Sequence, residues 1–263
     1  TQWDKLNRDA IIQQVHRDHR DEQGMFESTA FRLFNLAGVE GPYTHYAHLR
    51  VIDQAAEQGG SQYDGDFWGL YLAIEQPDGK LLEEHGMPDG NLYKMENWTG
   101  ELNHQGRGMA SDLSDLNEFM YTYTNLNPAN DWWRTNFDLD NYYRYRSVTE
   151  FARHFDVNEG KNYLSFHDPN PESPQWSIHP WDVDLTWARN MPGDGNEPFR
   201  DRVLPRYEFF LDYQNQMREL RDLLFNQEQM FAILDEHASW VDSPDDGPSM
   251  VDADRAMWDY HPI

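Results

Sequence analysis

The sequence contains no cysteine. Disulfide frameworks, thiolate zinc sites and cysteine nucleophiles are thereby excluded. Basic residues are scarce: 21 Lys and Arg stand against 47 Asp and Glu, a formal net charge of −26. A field of that sign repels phosphate backbones and anionic lipid, so no nucleic acid is expected as a partner and no anionic membrane surface. No apolar run approaches the roughly 18 residues of a spanning helix, so no membrane span is expected. Internal repeats and low-complexity tracts are also absent. The chain opens at Thr1 with neither Met nor a signal-peptide pattern. It reads as a piece of a longer or processed, multidomain protein, and a cysteine-free acidic chain suits an extracellular or cell-surface setting.

What is present argues for a folded chain. Of 263 residues, 38% are hydrophobic and 14% aromatic, enough to bury a core without metal or disulfide. The acidic surface suits salty surroundings or cation binding, and a polyanionic ligand requires a local cationic site or bound metal.

The pattern along the chain predicts an α+β fold. Asp9 to His19 is polar and helix-like. Met25, Phe26, Thr29, Ala30, Leu33, Phe34 and Ala37 form a stripe at helical spacing, with Gly38 as a natural stop. Thr44–Asp53 and Phe67–Gln76 read as an antiparallel pair around a long polar loop, and Asn91–Met95 as a short third strand. Glu101–Ser111 reads as loop or linker. Helices follow over Ser111–Tyr123, Leu139–Phe155, Tyr207–Phe225 and Asn226–Val241, the last opened by an Asn226-x-x-Gln229 cap. The Leu139 helix is expected to bury Leu139, Tyr142, Tyr145, Val148, Ala152 and Phe155. The Tyr207 helix is expected to bury Phe210, Tyr213, Met217, Leu220 and Leu224. Short β segments fall at Asn162–Phe166 and Gln175–His179, and the Asp/Pro-rich tail after Ser243 reads as loosely packed. A division at about residue 100 gives a small α+β part over 1–100 and a mainly helical part over 101–263, with a ligand cleft expected between them.

The segment most informative about chemistry is Phe155 to Asp184, FDVNEGKNYLSFHDPNPESPQWSIHPWDVD. Asp156 follows a helix end, and Asn162 opens a strand six residues on. Asp182 and Asp184 are two apart, so a strand there places both carboxylates on one face. Two carboxylates and an amide oxygen form a hard donor set suited to Mg²⁺ or Mn²⁺. Asp156 is placed to accept a hydroxyl proton, which completes the part list of phosphoryl transfer. Asn158 competes with Asn162 for the amide role. In so acidic a chain, solvated or capping aspartates are the competing explanation for the whole set.

GLYLAIEQPD (Gly69–Asp78), NLYKM (Asn91–Met95), FDVNEGKNYLSF and HPWDVDLTW (His179–Trp187), with the helix MFESTAFRLFNLAGV (Met25–Val39), resemble the CotH kinase family, the spore-coat-protein-H-like atypical protein kinases. The resemblance runs from Met25 to about Trp187. It implies a reduced, atypical protein-kinase-like fold, with a small N-lobe remnant sheet, a hinge near residues 75–80 and a mainly helical C-lobe. It also implies transfer of the ATP γ-phosphate, with Mg or Mn, to a Ser/Thr hydroxyl of a protein substrate. By position, Asp156 resembles the catalytic-loop base, Asp182 the principal metal ligand and Asn162 the second, with Asp184 nearby. Glu27 falls where the family's helix carries the Glu that pairs with a phosphate-binding Lys. Glu75 and Gln76 resemble the hinge that meets adenine, mostly through backbone groups. Three features depart from an ordinary kinase. The Asp156–Asn162 spacing is six where five is usual. No Gly-rich loop opens the chain. The strands that carry the phosphate-binding Lys would precede Glu27, where only Thr1–Gln23 stand, so that Lys is expected upstream, with Lys5 and Lys94 as nearby candidates.

Those departures keep two alternatives open. One is a non-catalytic, pseudokinase-type adhesion or scaffold module. The other is a glycoside hydrolase, with an acidic pair beside a cleft lined by Trp132, Trp133, Trp176, Trp181 and Trp187. Asp64-Gly65-Asp66 is a fragment of a calcium-loop pattern without its remaining ligands. Asn97-Trp98-Thr99 is a glycosylation sequon.

Overall fold

The run of apolar residues at helical spacing after Met25 forms α1 (Phe26–Leu36), which buries Ala30, Phe31, Leu33 and Phe34. Gly38 ends it with φ +79°, a left-handed conformation that glycine adopts without strain. The structure is a computed structural model, and it describes residues 11–14, 25–55, 59, 64–187, 195–242 and 249–257.

Two β-rich stretches follow α1 and pair antiparallel, as the sequence predicts. They are β2 (Thr44–Val51) and β3 (Asp66–Ile74), in register from Thr44↔Ile74 to Val51↔Asp66 with a bulge at Leu49/Arg50. The other edge of β3 is covered by β1 (Ile11–Gln14), giving the order β1-β3-β2. This corrects the helical reading of Asp9–His19 over Ile11–Gln14; the rest of that segment, like Lys5, lies outside the described residues. The open edge of β3 offers four residue pairings that outweigh a weak local helix preference.

Asp78 caps a short helix, α2 (Gly79–Glu84), through its Oδ1, which accepts the Lys80 N–H at 2.7 Å. β4 (Asn91–Glu96) and β5 (Thr99–His104) then form a hairpin closed by Asn97 and Trp98, both at positive φ. Here Glu101–His104 is strand rather than loop. It is a polar edge strand, with no hydrophobic alternation to reveal it. β4 does not join the first sheet. It pairs with β6 (Tyr163–His167), which pairs with β7 (Trp176–Pro180), in the order β5-β4-β6-β7. This second sheet therefore joins strands from both sides of residue 100.

The helices α3 (Ser114–Asn125), α4 (Asn130–Asn136) and α5 (Leu139–Phe151) lead from one hairpin to the other. α5 is the central helix. Tyr142, Tyr143, Tyr145, Arg146, Ser147, Val148 and Thr149 are all buried, on more than the one face that its apolar residues predict. It stops four residues before the predicted end because Arg153 takes φ +51°, and Phe155 lies outside it, 39% exposed. Beside it, Trp133, Phe119, Phe137, Tyr142, Trp176 and Phe199 form one aromatic core. Trp133, Trp176 and Trp181 are buried, which removes them from any sugar-lined cleft.

After α6 (Arg200–Val203), α7 (Tyr207–Leu223) and α8 (Gln227–Val241) pack on this body. α7 buries Phe209, Tyr213 and Leu220, with Leu224 just after it, so the stripe starts at Phe209 rather than at the 39%-exposed Phe210. Asn226 caps α8, accepting the Gln229 N–H at 3.0 Å. Within the tail expected to be loosely packed, the described residues 249–257 carry a packed helix instead. α9 (Met250–Met257) packs on β3, and its buried Asp254 accepts the Leu70 N–H at 2.8 Å.

Candidate active site

The left-handed turn at Arg153 directs the chain out of α5 and through a loop to β6. His154 is buried behind this loop and Asp156 stands on its open side. Asn158 organises the turn. Its Oδ1 accepts the Gly160 N–H at 2.8 Å, and its backbone exchanges two hydrogen bonds with Lys161 at 3.3 Å. This tight turn absorbs the extra residue in the Asp-to-Asn spacing and returns the chain to Asp156. Asn162, at φ +68°, donates its amide to Asp156 Oδ2 at 2.9 Å and to the Asp156 carbonyl at 3.1 Å. Of the two candidate amides, Asn162 meets Asp156 and Asn158 serves the turn.

Lys161 donates to the same oxygen, Nζ to Asp156 Oδ2 at 2.7 Å. Asp156 Oδ1 has no hydrogen-bond donor among the described residues, and neither has the Asn162 side-chain oxygen. One face of the carboxylate is therefore fixed by two donors, and the other is open to a hydroxyl. The Asp156 bond, with the negative Asp182 and Glu96 nearby, raises the Lys161 pKa, so the ammonium is firmly charged.

Asp182 enters from the other side. β7 ends at Pro180, and Asp182 sits beyond it at φ +55°. Strand alternation is lost there: Val183 is buried, Asp184 is exposed on a turn, and the two carboxylates do not share a strand face. Asp182 is half-buried and has no hydrogen bond or ion pair among the described residues. Burial first, and then the negative Asp156, push its carboxyl above the usual Asp range; Lys161 and Lys94 pull it back. Such a carboxylate is underneutralised and gains from a bound cation. Asp182 and the Asn162 oxygen are hard donors that fit Mg²⁺ or Mn²⁺. Among the described residues no three His, Asp or Glu side chains converge to hold a metal unaided. That composition fits a cation that completes its shell with water and phosphate oxygens.

The other predicted residues lie around this centre. Lys94 on β4 is over the Trp181 ring at 5.7 Å and 3.6 Å from Glu96 Oε2, so among the described residues it pairs with Glu96 rather than with Glu27. Glu27 is half-buried in the first turn of α1. Glu75 is fully buried. Its Oε2 accepts the Tyr43 N–H at 3.1 Å and pairs with His85 Nε2 at 3.0 Å, while Oε1 has no partner. Its carboxylate braces the protein interior, which leaves any ligand contact at Glu75 to the backbone. Gln76 beside it is half-buried.

A profile of the CotH kinase protein family matches residues 16–244. The chain belongs to that family. Inner spore coat protein H of Bacillus subtilis is similar to it, 20% identical over 245 residues that take in 82% of this chain. The chain spans 64% of that protein's length.

The CotH resemblance covers Asp156, Asn162 and Asp182 but passes over Lys161 and His154. Lys161 was identifiable as the residue directly before Asn162. His154 stands two before Asp156, the His-x-Asp order that opens a kinase catalytic loop. Burial holds the His154 pKa down to about 4, against smaller opposing effects of Asp156 and the Asn162 backbone, so the fully buried ring is neutral.

Proposed function

We propose that this CotH-family chain is an atypical protein kinase. It would transfer the γ-phosphate of ATP, with Mg²⁺ or Mn²⁺, to a Ser/Thr hydroxyl of a protein at a coat or other surface. The observation that carries this reading is the Asp156 carboxylate: Asn162 and Lys161 hold Oδ2, while Oδ1 faces no donor among the described residues. Oδ1 takes the acceptor's proton as the hydroxyl oxygen bonds to the γ-phosphorus. The bond from that phosphorus to the β–γ bridging oxygen breaks, and ADP leaves. Lys161 lies beside this point and offsets the negative charge of the transferring group. Asp182 and Asn162 would hold the metal, with Asp184 on the adjoining turn; the metal supplies charge neutralisation across the phosphates. The backbone at Glu75 and Gln76 would form the adenine hinge.

The Lys94–Glu96 pairing favours one second reading. A cleft whose nearby Lys94 is engaged by Glu96 on its own strand, rather than held ready for phosphates, suits a pseudokinase scaffold. Calorimetric titration of ATP with Mn²⁺ into the chain and into its Asp182→Ala variant separates the two. Metal-dependent binding lost in the variant, followed by phosphate transfer to a Ser/Thr protein, supports the kinase. Binding without transfer leaves the scaffold, and no binding by folded protein removes the nucleotide from both.

A further inference from the structure

The β4–β5 hairpin turns on Asn97 and Trp98, with φ +51° and +66°. Two-residue turns of this hand favour Asn-Gly. Asn97 suits its position, but Trp98 does not. A bulky side chain in the left-handed region costs about 1–2 kcal/mol. Trp98 is 66% exposed, so burial offsets little of that cost.

The ring instead lies against the candidate catalytic loop. The Trp98 backbone N–H donates to the Gly160 carbonyl at 3.0 Å. A Cβ on Gly160 would stand 2.8–2.9 Å from three Trp98 ring atoms, so glycine is needed there for space. From the other side, the Gly160 N–H is held by Asn158 Oδ1 at 2.8 Å. The same hairpin pairs with β6 from Met95↔Tyr163, directly after Asn162. Both the turn and its exit are thus fixed to one hairpin.

We infer that Trp98 is a positioning residue: it latches the turn at Gly160, and through that turn sets Lys161 and Asn162 against Asp156. Only the catalytic consequence rests on the kinase reading; the latch itself is a property of the loop. Trp98 touches no reacting group, and its strained backbone is retained for the loop it holds.

The test is a double-mutant cycle of Trp98→Gly and Gly160→Ala, read by amide exchange and by kinetics. Trp98→Gly suits the turn and leaves the melting temperature unchanged or higher. It nevertheless speeds exchange at Gly160 and Lys161 about tenfold and lowers kcat by a similar factor, with Mn-ATP affinity unchanged. Gly160→Ala, whose Cβ displaces the ring, does the same, and the double variant is no worse than either single one. Unchanged exchange at Gly160 overturns the latch, as does additivity of the two substitutions. A rise confined to the acceptor KM also overturns it and makes the ring a docking point instead. If the parent protein transfers no phosphate, the kinase reading falls and the exchange data still decide the latch.

Discussion

Asn162 reaches Asp156 across a spacing one residue longer than the usual kinase loop, Nδ2 to Oδ2 at 2.9 Å. The inserted length is taken up by the Asn158 turn. The two asparagines therefore have separable roles. Asn162→Gly keeps the left-handed backbone comfortable and removes the amide. Phosphate transfer should fall by about a hundredfold or more, with little change in melting temperature. Asn158→Ala removes a turn bond and should cost about 1 kcal/mol of stability while retaining measurable transfer. A reversed pattern in transfer assays and thermal melts would exchange the roles assigned here.

Asp182 should limit stability in the absence of metal. Its folded-state pKa is raised, so the folded protein binds the proton more tightly than the unfolded chain does. Stability then falls as pH rises from the ordinary Asp value through the raised one, and the loss persists at neutral pH. Asp182→Asn removes that loss and suits φ +55°. Its melting temperature at pH 7 should exceed the parent's, and Mn-dependent ATP binding should vanish. A variant less stable than the parent at pH 7 contradicts this account of the carboxylate.

His154 gives the opposite pH response. Its pKa is held at about 4 by burial, against an ordinary 6.5, so the unfolded state takes up a proton first on acidification. The contribution is complete above about pH 6.5 and is lost progressively toward pH 4, on the order of 3 kcal/mol in all. His154→Leu should flatten the loss of stability between pH 6.5 and 5.5 in denaturant titrations. An unchanged slope would show that the ring is charged or hydrated in the folded protein.

Glu75 tests the hinge assignment. Glu75→Ala strands His85 and the Tyr43 N–H and should cost about 3 kcal/mol, whereas Glu75→Gln preserves hydrogen-bonding capacity and should cost less. In both, Mn-ATP affinity of the folded protein should stay within a few-fold of the parent. A large loss of affinity in the folded Gln variant would bring the carboxylate into the ligand site.

Much of this was legible from residue pattern. The α1 stripe with Gly38, the β2–β3 pair, the Asn226 cap and the β6–β7 hairpin all rest on local signals that the structure keeps. Segments decided by distant partners were not legible. Ile11–Gln14 is a strand because β3 has a free edge, and β5 is a strand because β4 has one. Asp182 and Asp184 were expected to share a face because a strand was extended past Pro180; the left-handed residue that ends the alternation leaves no mark in an acidic sequence. Lys161 was missed because the resemblance that names Asp156 and Asn162 assigns nothing to the residue between the turn and the amide.

Strand β4 is flanked by its own hairpin partner on one edge and by β6, some seventy residues later in the chain, on the other. During synthesis the β4–β5 hairpin must wait, with one edge unpaired, until the helices and the loop after α5 have emerged. A backbone cut in the connection between β5 and α3 leaves each half with a vacant strand position that only the other fills. Two such fragments, each poorly behaved alone, should reassemble when mixed, and recovered Mn-ATP binding would report the rejoining of the sheet.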